Sequence, residues 1–280
     1  MNIYQVDFHL LSPLQVGCGS LGMIERTLLF IPGRIVWGAL TNSIVCCSSL
    51  APSADLFRSV GDALRQGRFS SFFPLLFLGS RDRKQALRRM VPSFKDACFF
   101  DENDISFRIS GDEMDSLLRC SVESTSIDPG LLSAGESTLH STELVRAEYR
   151  DAVRDKLHPV SFRGFIELPD SVSVDGCQIA LNADSVKEFF SKIRLGGGRK
   201  RGWGMILPDS VSIVPDYSHF ESIRMKDGVL LTSEAPVSPG DRVNGRAVLA
   251  CYREYDPEYG FGQRFSKPAL VWPVGSFLYA

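Results

Sequence analysis

The segment from Leu195 to Ile206 holds five glycines, three consecutive cations and one indole within nine residues. Glycine lacks the Cβ that would keep the backbone away from a ligand, and it adopts positive φ, so successive N–H groups can turn toward one phosphate. The cations add charge, and the indole offers a face for a base. The pattern therefore predicts close contact with a polyanion. The loop residues predicted to contact RNA are Gly196, Gly197, Gly198, Arg199, Lys200, Arg201, Gly202, Trp203 and Gly204.

Two common phosphate-binding motifs do not fit this loop. The P-loop needs Lys and then Ser or Thr after its second glycine, but Trp203 and Gly204 follow Gly202. The dinucleotide fingerprint needs a glycine where Arg201 stands, and it follows a strand, whereas this loop follows a predicted helix. A simpler alternative stays open, in which glycine ends a helix and the cations favour its negative end.

Hydrophobic periodicity predicts the elements that position the loop. Residues 182–195 predict a helix with Asp184 as its N-cap, since apolar side chains recur there at helical spacing. The apolar run 202–207, which ends at Pro208, predicts a strand after the loop. The N-terminal part predicts a strand over residues 3–16, a glycine-rich turn over 17–22, a second strand over 27–31 and a helix that opens at Ile31, with Val36, Leu40 and Ile44 on its apolar face.

Arg34 stands at the predicted start of the N-terminal helix. Free backbone N–H groups at a helix start favour anions, so Arg34 is a candidate for a further RNA phosphate contact. It could equally pair with a carboxylate of the acidic segment described next. The second half adds predicted strands at 165–168, 178–181 and 211–214, so the order of elements fits two small α+β units.

The charges divide along the sequence. The chain has 280 residues, a net charge of −2 and 44% hydrophobic residues, as expected for a globular protein of one large or two medium domains. Residues 58–95 hold nine Lys or Arg against two acids, and residues 101–143 hold ten acids against two Arg. The basic tract, interleaved with phenylalanines, could face nucleic acid or form an amphipathic helix with solvated arginines. The acidic segment predicts insertions or loops that contact a basic partner or are solvated.

The seven cysteines form no CxxC pair, which argues against a zinc knuckle or a disulfide framework. The first ten residues lack the pattern of a signal peptide, and no uncharged apolar run reaches the roughly 18 residues of a membrane span. We therefore expect a cytoplasmic protein that binds no membrane. No metal ligands and no cofactor are predicted.

Five parts of the chain resemble a known family. They are residues 12–19, the stretch FIPGRIVWGAL over 30–40, residues 139–145 with 162–166, the glycine loop 196–204, and residues 274–279. In this order they resemble the first strand, the helix start, the central strands, the glycine-rich loop and the terminal strand of the RAMP superfamily. That superfamily comprises RNA-binding subunits of CRISPR effector complexes, particularly those of type III.

The resemblance implies an α+β fold of tandem ferredoxin-like (RRM-like) units with loop insertions. We expect an N-terminal unit over 1–145 with basic and acidic insertions, and a C-terminal unit over 146–280 that carries the glycine loop. The resemblance also implies a non-catalytic subunit that binds the guide RNA (crRNA) and caps its 5′ end. Its implied partners are the large polymerase-like subunit, the backbone RAMP subunits and, indirectly, target RNA.

No catalytic residue is predicted, but two enzymatic alternatives stay open. A crRNA-processing endoribonuclease needs a general base and acid, and His9 with Tyr4 is the one pair worth testing. A backbone subunit that cuts target RNA carries an aspartate after the first strand, where Glu25 is the only acid of residues 17–26. The remaining histidines, which show no paired spacing, are His140, His158 and His219.

Overall fold

The computed structural model of the chain describes all residues except 49–50, 81–82, 129, 131–132, 135–138, 152–154, 175, 216, 218–219, 252, 257–259 and 280. In strand residues 79–80, 83–85, 128, 133–134, 174, 177, 253–256 and 260–264 the backbone alone is described. The described residues form an α+β structure, as the sequence predicts.

The elements are named in chain order. The first half contains β1 (Asn2–Leu10), β2 (Gly17–Leu21), β3 (Ile24–Thr27), α1 (Gly33–Cys47), α2 (Ala54–Leu64), β4 (Arg68–Phe69), β5 (Phe73–Ser80), β6 (Arg83–Ser93), β7 (Cys98–Asp101), β8 (Asp104–Ser110), α3 (Gly111–Leu118), β9 (Arg119–Ser124), β10 (Ile127–Asp128), β11 (Ser133–Ala134) and β12 (His140–Val145). The second half contains β13 (Glu148–Asp151), β14 (Lys156–Pro159), β15 (Ser161–Leu168), β16 (Ser171–Val174), β17 (Cys177–Ala180), α4 (Ala183–Lys192), a 3-10 turn (Arg199–Arg201), β18 (Ile206–Val214), β19 (Ser222–Met225), β20 (Gly228–Leu231), β21 (Ala235–Pro236), β22 (Val243–Asn244), β23 (Val248–Ala250), β24 (Arg253–Asp256), β25 (Gly260–Phe265), β26 (Ala269–Trp272) and β27 (Phe277–Tyr279).

Four strands and two helices form a ferredoxin-like unit. In the main sheet β18, β1, β15 and β5 are neighbours in that order, and each neighbouring pair is antiparallel. In the chain, α1 comes between β1 and β5, and α4 comes between β15 and β18. The predicted ferredoxin-like fold is thereby confirmed. The described residues contain this arrangement once, and the described part of residues 215–279 consists of strands and connections without a helix.

The main sheet crosses the predicted domain boundary at residue 145. β1 precedes that boundary, whereas both of its neighbours, β15 and β18, follow it and pair with β1 over most of its length. Residues 1–145 and 146–280 therefore do not each form a separate sheet. The strand pairing joins segments that are far apart in sequence.

The core lies between the main sheet and the helices α1 and α4. Even-numbered side chains of β1 point to this side, in keeping with the alternation of a strand. Phe8 is fully buried, and its ring centroid lies 5.6 Å from that of Phe72 and 5.8 Å from that of Phe162. The predicted apolar face of α1 is confirmed, since it is fully buried at Val36, Leu40 and Ile44.

Two local predictions around α4 need correction. The N-cap is Asn182 and not Asp184: the Asn182 side chain accepts a hydrogen bond from the Ser185 N–H, and the Ser185 hydroxyl returns one to the Asn182 carbonyl. Asp184 instead lies in the first turn, where its charge suits the helix dipole. The strand after the loop begins at Ile206 and continues through Pro208 as β18, because this edge strand of the sheet tolerates a proline.

The basic tract and the acidic segment pair with each other. β6 and β7 are antiparallel neighbours, and they bring Arg88 to 2.7 Å from Asp101 and Arg89 into contact with Glu102. Arg89 is only 1% exposed. In the described residues the tract after α2 is therefore mostly strand rather than amphipathic helix. The acidic segment is an insertion, as predicted, but it forms strands and α3 rather than loops alone.

The C-terminal strands pack on the opposite face of the main sheet. A second apolar cluster joins Phe73 of β5, Val91 of β6 and Phe100 of β7 to Leu230 and Phe277 of the C-terminal strands. This packing forms a second, smaller core on the face of the sheet away from α1 and α4.

Candidate nucleic-acid interface

The glycine loop (residues 196–204) lies at one end of the main sheet, beside the segment that follows β1. Because β1 and β18 are antiparallel, the end of β1 lies beside the start of β18, with Leu10 opposite Ile206. The chain enters β18 through the glycine loop, and β1 continues into residues 11–16, which precede β2, β3 and α1. The topology of the sheet thus brings two motifs together that are far apart in sequence.

Hydrogen bonds attach the loop to the segment that follows β1. The Gly197 N–H donates to the Gln15 carbonyl across 2.9 Å, and the Gly204 N–H donates to the Pro13 carbonyl across 2.8 Å. The Leu195 N–H donates to the Gly204 carbonyl across 2.9 Å and closes the base of the loop. The loop is therefore a fixed part of the fold, built on residues 13–15.

Glycine is sterically required at several loop positions. Gly196, Gly198, Gly202 and Gly204 all have φ between +65° and +84°. A Cβ at Gly196 would lie 2.0 Å from the Gln15 carbonyl oxygen, and a Cβ at Gly204 would lie 1.8 Å from the Leu195 carbonyl oxygen. The simpler explanation of a glycine helix cap is wrong, because α4 ends at Lys192 and its C-cap residue is Ile193, which has negative φ.

A cleft of about 950 Å³ opens between the glycine loop and α1. Gly196 and Gly197 line one side, and Arg34, Trp37 and Asn42 line the other. Trp37 lies one turn after Arg34 on α1, and it is half-buried whereas Arg34 and Asn42 are exposed. Further lining side chains come from the α2 region and from the C-terminal strands, namely Phe57, Arg65, Phe69, Glu234 and Val274.

The cleft is cationic. Its described lining includes four arginines, Arg34, Arg65, Arg194 and Arg199, against one carboxylate, Glu234. Arg34 Nη1 lies 2.8 Å from Glu234 Oε1, with both side chains partly exposed. The predicted alternative for Arg34 was a carboxylate of the acidic segment, whereas Glu234 lies between the C-terminal strands β20 and β21. Arg194 and Arg199 also donate to loop carbonyls, which holds their side chains near the cleft.

The structure divides the predicted RNA-contacting residues into two groups. Gly196, Gly197, Arg199 and Arg34 line the cleft, whereas Gly198, Lys200, Arg201, Gly202, Trp203 and Gly204 do not. Gly198 instead packs on the Trp203 indole, where a Cβ would lie 2.0 Å from Cε3, and the Arg201 guanidinium lies 5.1 Å from the centroid of the same ring. Gly198, Arg201 and Trp203 therefore contact one another within the loop and stabilise its shape.

The cleft also contains residues that the sequence motifs did not single out, among them Gln15, Trp37, Arg65 and Arg194. Trp37 could have been found from helical spacing, since it lies one turn after Arg34. Arg194 precedes the glycine loop by two residues. Nothing in the sequence signals that Arg65 and Gln15 reach the same cleft, because that depends on how α2 and β1 pack.

The candidate pair of His9 and Tyr4 is not assembled. The two residues lie on opposite faces of β1, and Tyr4 is fully buried with its hydroxyl donating to the Leu181 carbonyl across 2.5 Å. Burial raises the pKa of Tyr4 above 10.0. His9 Nδ1 lies 2.8 Å from Asp209 Oδ1 instead. Tyr4 is therefore not placed to exchange protons with a ligand that reaches His9.

The Glu25 carboxylate contacts Gln15, the residue to which the glycine loop is hydrogen bonded. Its carboxylate accepts hydrogen bonds from Gln15 Nε2 at 3.0 Å and from the Thr142 hydroxyl at 3.2 Å. Gln15 in turn receives the Gly197 N–H, so Glu25 helps to hold the residue on which the loop rests.

The other histidines lie elsewhere. His140 is in β12, opposite Ser124 of β9. His158 is in β14, where its ring stacks on Tyr149 with centroids 5.6 Å apart. His219 lies outside the described residues.

Comparison with known proteins shows a fold likeness. The chain is similar to a chain in the cryo-EM structure of the Type III-B Cmr-beta bound to cognate target RNA and AMPPnP, with 12% sequence identity, a TM-score of 0.55, and coverage of 99% of this chain and 86% of that one. A second match is a chain in the cryo-EM structure of the Type III-B Cmr-beta bound to cognate target RNA, with 11% identity, a TM-score of 0.49, and coverage of 98% and 86%. No protein-family model and no curated protein matches the sequence. Among the described residues, no helix has the length and apolar composition needed to cross a bilayer.

Proposed function

We propose that the chain is a non-catalytic subunit of a type III CRISPR ribonucleoprotein, where it binds the crRNA and caps its 5′ end. The observation that carries the proposal is the cationic cleft, to which the glycine loop and Arg34 both contribute although they are distant in sequence. The sequence motifs and the fold likeness to a chain of the Type III-B Cmr-beta structure support the same assignment.

The cleft offers the groups that retain single-stranded RNA. Guanidinium groups of Arg34, Arg194 and Arg199 can pair with phosphate oxygens, which they match as planar donors. The absence of side chains at Gly196 and Gly197 lets a strand approach the loop backbone closely. Retention by this mechanism requires no bond breaking, and it fits a subunit that holds the guide in place while other subunits act.

The partners that follow from this proposal are the crRNA, the large polymerase-like subunit and the backbone RAMP subunits, with target RNA as an indirect partner. A subunit that caps one end of the guide occurs once in each complex, whereas a backbone subunit that cuts target RNA occurs several times. Stoichiometry therefore separates the proposal from that alternative.

The test is purification of the tagged chain with its complex from source cells. Native mass measurement should give one copy per complex, and sequencing should find a short guide with a uniform 5′ end. Ultraviolet crosslinking should attach this RNA to peptides that contain residues 34–42 and 194–199. Several copies per complex would favour the backbone alternative. Absence of RNA, or crosslinks confined to peptides outside the cleft, would overturn the proposed role.

A further inference from the structure

The cleft contains an aromatic side chain that the glycine loop does not supply. Trp37 lies one turn after Arg34 on the α1 face that lines the cleft. Its Nε1–H donates to the Gly61 carbonyl across 3.1 Å, and Gly61 packs against the same edge of the indole. This hydrogen bond fixes the ring in one orientation, so the indole is preorganised for ligand binding.

A cation already lies over the Trp37 ring. The Arg65 guanidinium carbon is 4.7 Å from the ring centroid, and Arg65 also lines the cleft. Indole and guanidinium planes both stack on nucleobases. Beside them, Gly38 leaves open space, because no heavy atom would lie within 4 Å of a Cβ at that position. Trp37 and Arg65 thus present planar surfaces next to free volume.

Trp203 is less suited to the same task. Its indole packs against Gly198 and receives the Arg201 guanidinium, and it does not line the cleft. The structure therefore favours Trp37 over the tryptophan that the sequence motif singles out.

We propose that Trp37, together with Arg65, forms a stacking site for one unpaired nucleobase, while the arginines of the cleft hold the adjoining phosphates. This inference rests on the proposed function, since it assigns the base-binding part of the same cleft. The stacking site also determines which form of nucleic acid the cleft can bind. The faces of a base within a duplex are covered by its neighbours, so the site accepts single-stranded RNA with an accessible base and rejects a continuous duplex.

The test compares two ligands on the full-length protein: a fluorescent single-stranded RNA decamer and the same decamer with abasic sites throughout. Trp37→Ala should weaken binding of the RNA about tenfold to a hundredfold and leave binding of the abasic strand unchanged. Trp37→Phe keeps an aromatic ring and should retain most of the affinity. Trp203→Phe is the matched control and should bind both ligands like the wild type.

Tryptophan fluorescence gives an independent measurement. The chain contains three tryptophans, so the double variant Trp203→Phe, Trp272→Phe leaves Trp37 as the only emitter. RNA should quench this emission, and the abasic strand should not. If the RNA binds but the emission is unchanged, or if Trp37→Ala weakens both ligands equally, the stacking site is wrong and RNA binding by the cleft stands. If the wild type binds neither ligand, the proposed function itself fails.

Discussion

The backbone N–H of Gly197 donates a hydrogen bond to the carbonyl of Gln15 across 2.9 Å. This bond joins the glycine loop to the segment that follows the first strand. Glu25 accepts a hydrogen bond from the Gln15 side chain, so the loop is supported by two successive contacts. The shape of the candidate RNA site therefore depends on residues from opposite halves of the chain.

We expect the cations that line the cleft to carry the salt dependence of RNA binding. Replacing Arg34, Arg194 and Arg199 together by Ala should weaken binding and flatten the plot of log affinity against log salt by up to about 2 units, since each phosphate contact on a single strand contributes about 0.7. The measurement is fluorescence anisotropy with labelled RNA at several salt concentrations.

The matched control removes three cations that do not line the cleft: Lys156, Arg224 and Lys226, all exposed. This variant should keep most of the salt slope. An equal loss of slope in both triple variants would show that RNA binding follows total charge rather than the cleft.

The ion pair between Arg34 and Glu234 should oppose RNA binding. Glu234 occupies one donor of Arg34 and adds negative charge to a cleft that we propose holds phosphates. Glu234→Gln should raise RNA affinity by up to about fivefold, the equivalent of the ~1 kcal/mol that an exposed ion pair contributes at most. Glu221→Gln, which changes an exposed acid outside the cleft, is the control. Unchanged affinity for Glu234→Gln would mean that Arg34 does not bind a phosphate.

Alanine substitutions at the loop glycines should lower the free energy of unfolding by different amounts. Gly202→Ala meets no heavy atom within 4 Å, so its cost is that of positive φ, about 1–2 kcal/mol of unfolding free energy. Gly196→Ala and Gly204→Ala should cost more, because their Cβ atoms would overlap backbone oxygens. Urea unfolding of the three variants tests this order. A larger loss for Gly202→Ala than for Gly204→Ala would contradict the loop geometry.

The purified chain should not cut RNA, with or without divalent metal. Tyr4 is buried on the face of β1 opposite to His9, and the Glu25 carboxylate is hydrogen bonded to Gln15 and Thr142. Incubation with labelled repeat RNA and target RNA, followed by gel analysis, should leave both intact. Cleavage that disappears in His9→Ala or Glu25→Ala would establish an enzymatic role.

Acid should weaken the N-terminal cap of α3. Hydrogen bonds from the Ser110 N–H and hydroxyl lower the pKa of Glu113 below its ordinary value of 4.5. A carboxylate whose pKa is lower in the folded state stabilises the fold at neutral pH, and this contribution is lost as the pH falls through the lowered pKa.

Glu113→Gln should accordingly have a lower urea midpoint than the wild type at neutral pH, and the difference should shrink as the pH falls below 4.5. Asp112→Asn, in the same first turn, controls for the general loss of negative charge. A difference that persists unchanged into acid would show that the Glu113 charge does not stabilise the cap.

The sequence by itself determined the features that depend on neighbouring residues. The apolar face of α1 followed from helical periodicity at Val36, Leu40 and Ile44, and the glycine loop was recognised from composition alone. Positive φ at Gly196 and Gly204 agrees with that interpretation. These properties are local, since they arise from backbone preferences and side-chain spacing within a few turns of chain.

The tertiary structure alone decided which of these residues work together. Pairing of β1 with β15 and β18 joined segments from both halves of the chain in one sheet and placed Gln15 under the glycine loop. Packing of α1 against α2 brought Trp37 and Arg65 together in the cleft, which Trp203 does not line. Strand pairing and helix packing join segments that are far apart in the chain. A local sequence pattern does not identify the distant residue that a side chain will contact.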